Sequence, residues 1–247
     1  MIIALVALLG AVIGSLCNLL VVRIPLEGRA QRWPHCTRCG ARLASWQLVP
    51  LLGWLLQRGR ARCCGRRLHW MFVLVELVSI TMTVVLYLRY DGGLIGWYLV
   101  FVVAVLLVTG AIDWFHRLIY TLPMLGATLV ALLVPPLLSG VTVRAALAGA
   151  LAAGFVFLIF YILARVLFPA LSAPFGLGDV YLGIFLGAAL SLRHLGSAVF
   201  YGMLAAGVYS AAILLARRFG RKTPTYIAYG SFLCAGAILY IALFPIV

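Results

Sequence analysis

Apolar residues run through this chain in blocks about as long as a bilayer is thick, and polar residues collect in the gaps. Eight blocks can be traced: about Ile2 to Val22, Trp70 to Leu88, Leu94 to Ile112, Leu118 to Leu138, Val143 to Phe168, Val180 to Leu190, Leu195 to Ala216 and Tyr226 to Val247. A helix needs roughly 20 apolar residues to cross the hydrocarbon core. The pattern therefore predicts an all-α polytopic membrane protein with about eight transmembrane helices. The sixth block is short, and can begin within Phe175 to Gly178 or run on toward Leu195. No basic segment precedes the first block and Arg23 follows it, so it reads as a retained span and not a cleaved signal.

The gap between the first two blocks is the longest, and it alone has soluble character. It divides the chain into a first transmembrane helix (1–22), a small cysteine-containing cytoplasmic loop domain (23–69) and a transmembrane core of about seven helices (70–247). Small residues recur at a spacing of four in Gly10 and Gly14, Gly92 and Gly96, and Gly183 and Gly187. Such pairs let helix backbones approach closely in lipid, and ordinary bundle packing is their expected use.

Composition agrees with the blocks. Hydrophobic residues make up 66% of the chain and charged residues 10%, where soluble domains carry about 25% charged. Disorder and a secreted disulfide scaffold are excluded by the same figures. Nineteen basic residues, all Arg except Lys222, face five acids: Glu27, Glu76, Asp91, Asp113 and Asp179. With eight spans, sixteen of the basic residues fall on the odd-numbered loops and their flanks; Arg89, Arg144 and Arg193 alone fall on the even ones. The positive-inside rule then puts the odd loops in the cytoplasm and both termini outside. The basic surface is expected to meet anionic membrane lipids. No aromatic-interleaved basic stripe lies outside the loops, so no nucleic-acid partner is expected.

Acids this scarce need a reason when they lie near a span, because an ionised carboxylate in hydrocarbon is costly. Asp113 closes the third block in Ala111-Ile112-Asp113-Trp114, and Asp179 opens the sixth in Gly176-Leu177-Gly178-Asp179-Val180. The third span runs inward and the sixth outward, so both acids reach the cytoplasmic face. Two carboxylates at one site can share a proton and titrate as a pair. That suits peptide hydrolysis, in which one carboxyl takes a proton from water and the other donates to the carbonyl oxygen. Gly176 and Gly178 would let the backbone bend and approach an extended substrate. Spacing alone also allows each Asp merely to cap a helix or meet an Arg.

Cys36-Thr37-Arg38-Cys39 is followed by Cys63-Cys64-Gly65. Cytoplasmic thiols stay reduced, which favours a metal over a disulfide. Zinc held by thiolates from two short turns would fold a loop that lacks its own core. Adjacent cysteines do not easily bind one ion together, so the expectation is Cys36, Cys39 and either Cys63 or Cys64, with His35 or His69 as a fourth ligand. Unmetallated or redox-linked thiols are the other reading. Cys17 and Cys234 lie in spans and read as packing residues.

These segments together resemble the bacterial type IV prepilin peptidases, membrane aspartyl proteases of pilus and type II secretion systems. Gly14-Ser15-Leu16-Cys17-Asn18 with Val22-Arg23-Ile24-Pro25 is similar to the family's first span, and His35-Cys36-Thr37-Arg38-Cys39-Gly40 to its first cysteine turn. Val49-Pro50-Leu51-Leu52-Gly53-Trp54-Leu55 and Gly59-Arg60 resemble the stretch before the second turn, and Leu74-Val75-Glu76 the following span. Ala111-Ile112-Asp113 with Arg117-Leu118-Ile119 resembles the first catalytic segment, and Gly176-Leu177-Gly178-Asp179-Val180 the second. Three departures stand out. Ala61 takes the first cysteine position of the second turn, Tyr181 stands where a Lys is common, and Pro224-Thr225-Tyr226-Ile227-Ala228-Tyr229-Gly230 replaces a Pro-Phe-Gly-Pro-Phe-like stretch.

The resemblance implies an aspartic endopeptidase of the bacterial cytoplasmic (inner) membrane. It would remove the basic leader of prepilins or pseudopilins after a Gly, on the cytoplasmic side. Asp113 and Asp179 carry over as the catalytic pair, and Gly176 and Gly178 as the backbone part of that motif. Many members also N-methylate the new terminus with S-adenosylmethionine, while the aspartyl chemistry itself requires no cofactor. Two other classes compete: a non-catalytic membrane assembly factor of a pilus or secretion system, and a transporter using its acids as a proton relay. Retention of both aspartates argues against the first, and their position at one face against the second.

Overall fold

In lipid every backbone N–H and C=O must be satisfied within the segment, so even Val- and Ile-rich blocks become helices. The computed structural model describes residues 1–26, 39–42, 54, 60–65, 67, 69–138, 142–167, 175–220 and 227–246. Among these are seven helices: α1 (Ile2–Arg23), α2 (Trp70–Arg89), α3 (Leu94–His116), α4 (Thr121–Leu138), α5 (Val143–Leu167), α6 (Leu177–Arg218) and α7 (Tyr229–Leu243). Five are long and apolar enough to cross a membrane: α1, α2, α3, α5 and α6. The chain is an all-α polytopic membrane protein, and it divides into two compact units, Met1–Ala111 and Ile112–Val247.

In the first unit α1 and α2 pack antiparallel through glycine. A Cβ at Gly10 would lie 2.8 Å from Ile80 Cα, and one at Gly14 2.8 Å from Glu76 Cα. With backbones this close, polar side chains bridge the helices. Ser79 Oγ donates to the Gly10 carbonyl at 2.8 Å, Asn18 Nδ2 to the Phe72 carbonyl at 2.8 Å, and Ser15 Oγ to Glu76 at 3.4 Å. Glu76 is fully buried there. Gly92, expected on a helix face, instead sits in the turn before α3 with a left-handed φ of +71°.

In the second unit α5 lies against the first half of α6. Gly149 meets Gly187 backbone to backbone, and the Phe157 ring covers Gly183. The sixth and seventh blocks fall within this one element, which is broken at Ser191 by φ 57° and ψ 170°. The neighbours of α6 give its course. Phe175, just before α6, meets the Tyr229 ring at the start of α7 in a tilted contact. His194, past the break, hydrogen bonds Tyr240 near the end of α7, and Tyr209 returns to Phe232 near its start. The chain therefore reverses at Ser191, and residues 192–218 run antiparallel to α7.

Candidate active site

Asp113 lies in the last turn of α3, nearly buried at 6% exposure. Its Oδ2 accepts the backbone N–H of Ser231 at 2.7 Å and the Ser231 hydroxyl at 3.0 Å. Its carbonyl accepts Arg117 N–H at 2.8 Å, which closes α3 with Arg117 at a left-handed φ of 55°. Asp179 is the third residue of α6, and its Oδ2 accepts the N–H of Gly176 at 3.2 Å. Each carboxylate thus sits at a helix N-terminus, Asp179 on its own helix and Asp113 on α7. Partial positive charge gathers at such ends and favours an anion.

The two acids share one electrostatic neighbourhood. The charge of Asp113 acts on Asp179, and both act on Cys234, buried to 2% exposure one turn into α7. Tyr229 lies in the field of Asp179 and Arg117 in that of Asp113. Two aromatic clusters lie on the same elements: Trp114, next to Asp113 in sequence, meets Tyr209 and Phe232, and Phe175, just before the Asp179 turn, meets Phe157 and Tyr229. Two carboxylates placed this way can together take up and release a proton during attack of water on a carbonyl.

The two glycines differ. A Cβ at Gly178 would fall 2.7 Å from Ile119 Cβ, so the turn before Asp179 lies directly on the segment after Asp113. At Gly176 a Cβ would meet Asp179 Oδ2 at 3.5 Å, an ordinary contact, and the backbone there (φ −94°, ψ 149°) is open to any residue. The bend expected at Gly176 needs no glycine; close packing at Gly178 does.

Sequence reasoning did not assign Ser231 or Gly230 to the site; Cys234, read as a packing residue, is buried as that reading expects. A Cβ at Gly230 would stand 3.1 Å from Asp113 Oδ2 and 3.0 Å from Ile119 Cδ1. The available signal was weak: a Gly-Ser pair a few residues into the eighth apolar block. Its partner lies 118 residues away, beyond any spacing rule.

The cysteine loop forms a separate cluster in the first unit. The sulfurs of Cys39, Cys63 and Cys64 all lie within 4.8 Å of one another. A hairpin tip presents the pair: Arg60 bridges Arg67, Gly65 N–H donates to the Ala61 carbonyl at 2.7 Å, and Gly65 takes φ +67°. Gly40 follows Cys39 at a matching φ of +69°. Both adjacent cysteines join the cluster, contrary to the expectation that only one would. Three soft thiolates at this separation can close on a tetrahedral ion with bonds of about 2.3 Å. His69 is not in the group; its Nδ1 accepts Met71 N–H and caps α2. Cys36, His35 and Glu27 lie outside the described residues.

Comparison with known proteins came to the same family. The Bacterial Peptidase A24 N-terminal domain matches residues 8–90. A prepilin leader peptidase/N-methyltransferase of Bacillus subtilis is 30% identical over 238 residues, covering 93% of this chain and 90% of that protein. Proteins of the same name match from Myxococcus xanthus (32% identical; 87% of this chain, 64% of that protein) and Xanthomonas campestris (27% identical; 94% and 88%). No solved structure matches.

Proposed function

Because this chain belongs to the prepilin leader peptidase/N-methyltransferase family, we propose that it is an integral-membrane aspartic endopeptidase that removes the short basic leader of type IV prepilins or pseudopilins. Asp113 and Asp179 are its catalytic pair. The observation that carries this is the meeting of two acids, 66 residues apart in a chain with five, in one electrostatic neighbourhood at two helix starts. One carboxylate draws a proton from water as it attacks the scissile carbonyl. The other gives a proton to the carbonyl oxygen and then to the leaving amine.

The protein sits multi-pass in the bacterial cytoplasmic membrane with this pair at the cytoplasmic face, where the Arg-rich loops also fall. Eight spans are proposed, with the reversal at Ser191 dividing α6 into the sixth and seventh. The first loop holds one structural zinc through Cys39, Cys63, Cys64 and Cys36, and anionic headgroups offset repulsion between that loop and a basic leader. The name shared by the relatives adds N-methylation. The crevice lined by Thr83, Tyr87, Gly92, Gly93, Gly96, Trp97 and Val100 has no room for even a water molecule, carries no charged side chain and does not fit S-adenosylmethionine, so no step is assigned to that donor.

Asp113→Asn and Asp179→Asn should each lower leader removal at least about 100-fold while the protein stays folded and inserted, since each removes one partner of acid–base catalysis. Cleavage is read as a gel shift with a prepilin substrate in detergent, and mass spectrometry of the new N-terminus reports methylation. Either variant cutting at the parent rate would remove that residue from the pair.

A further inference from the structure

Asp113 is held twice by one residue. Ser231 aims both its backbone N–H and its hydroxyl at the same oxygen, Oδ2. Ser231 is third in α7, whose N-cap, Ala228, makes no side-chain cap. The first N–H groups of a helix have no partner within it, and here a carboxylate from another helix takes one of them. Gly230 leaves the room, because a side chain there would press on Oδ2 and on Ile119.

We propose that Ser231 is a positioning residue for Asp113, turning its carboxyl so that Oδ1 alone meets the reacting water; this rests on the aspartyl peptidase reading. Both donors fall on Oδ2, so that oxygen is the hydrogen-bonded one of the pair. Proton exchange is then left to Oδ1. The last torsion of an Asp side chain is broad and roughly two-fold, so one donor would leave the carboxyl free to swing about a single point. A second donor on the same oxygen restricts that swing. A group fixed before reaction needs no reordering when water attacks.

The test uses the full chain in detergent and a synthetic peptide with a basic leader, a Gly and an apolar helix. Ser231→Ala keeps the N–H and removes the hydroxyl; kcat should fall about tenfold with KM changed less than about twofold. Ser231→Thr keeps both donors and should restore kcat. Ser231→Val keeps the branched shape of Thr without a hydroxyl and should be as slow as Ala. Asp113→Asn is run alongside. If it cuts at the parent rate, the aspartyl reading itself fails. If it is inactive while the Ala and Val variants match the parent, positioning by Ser231 alone is overturned. A Thr variant as slow as Ala, or a raised KM with kcat unchanged, also overturns it: the first makes Ser231 a packing residue, the second a substrate contact.

Discussion

A methyl group added at position 178 has nowhere to go. Its carbon would stand 2.7 Å from Ile119 Cβ, where apolar carbons settle at about 3.5–4.0 Å. Roughly 1 Å must be found, and Ile119 cannot supply it by rotating, because Cβ is the stiff branched root of its side chain. The turn carrying Asp179 must move instead. Overpacking of this kind costs about 1–3 kcal/mol, against up to about 1 kcal/mol returned by replacing Gly with Ala in a helix. Gly178→Ala should thus lose about 1 kcal/mol of stability by that difference. Displacement of a catalytic group by about 1 Å should lower kcat about 100-fold. At Gly176 the added carbon meets Asp179 Oδ2 at 3.5 Å with an ordinary backbone, so Gly176→Ala should stay within about threefold of the parent. Peptide cleavage kinetics and thermal unfolding in detergent read both quantities. Equal losses in the two variants would refute the steric argument and return both glycines to a shared motif role.

Three further outcomes are expected. Glu76→Ala should lose about 2 kcal/mol in thermal unfolding through the void it opens between α1 and α2, while Glu76→Gln keeps the Ser15 contact and stays within about 1 kcal/mol; an Ala variant as stable as Gln would make the buried acid dispensable to packing. Ser191 occupies backbone space nearly reserved for glycine, at about 1–3 kcal/mol, so Ser191→Gly should raise the unfolding temperature and Ser191→Val lower it; the reverse order would refute a strained reversal. Protein purified without chelator should hold about one zinc per chain by elemental analysis, reduced by Cys39→Ser or Cys63→Ser; zinc near zero with cleavage intact would mark the thiols as relics.

Local composition decided how the chain meets the membrane. Lipid offers no hydrogen bonds, so each apolar block had to become a helix, and the helices observed begin and end within a few residues of the blocks. With eight spans the same pattern predicts one depth for Asp113 and Asp179, and the structure brings the two acids into one electrostatic neighbourhood. Lateral neighbours are another matter. Ser231 on Asp113 Oδ2, Ile119 under Gly178 but not Gly176, and two adjacent thiols turned to one point depend on helix rotation and on which helices touch. Many rotations and orders of neighbours bury the same apolar area, so hydropathy does not choose among them. Close packing at Gly149 and Gly187, at Gly202 and Gly236, and the reversal at Ser191 select one, and only the assembled bundle contains them.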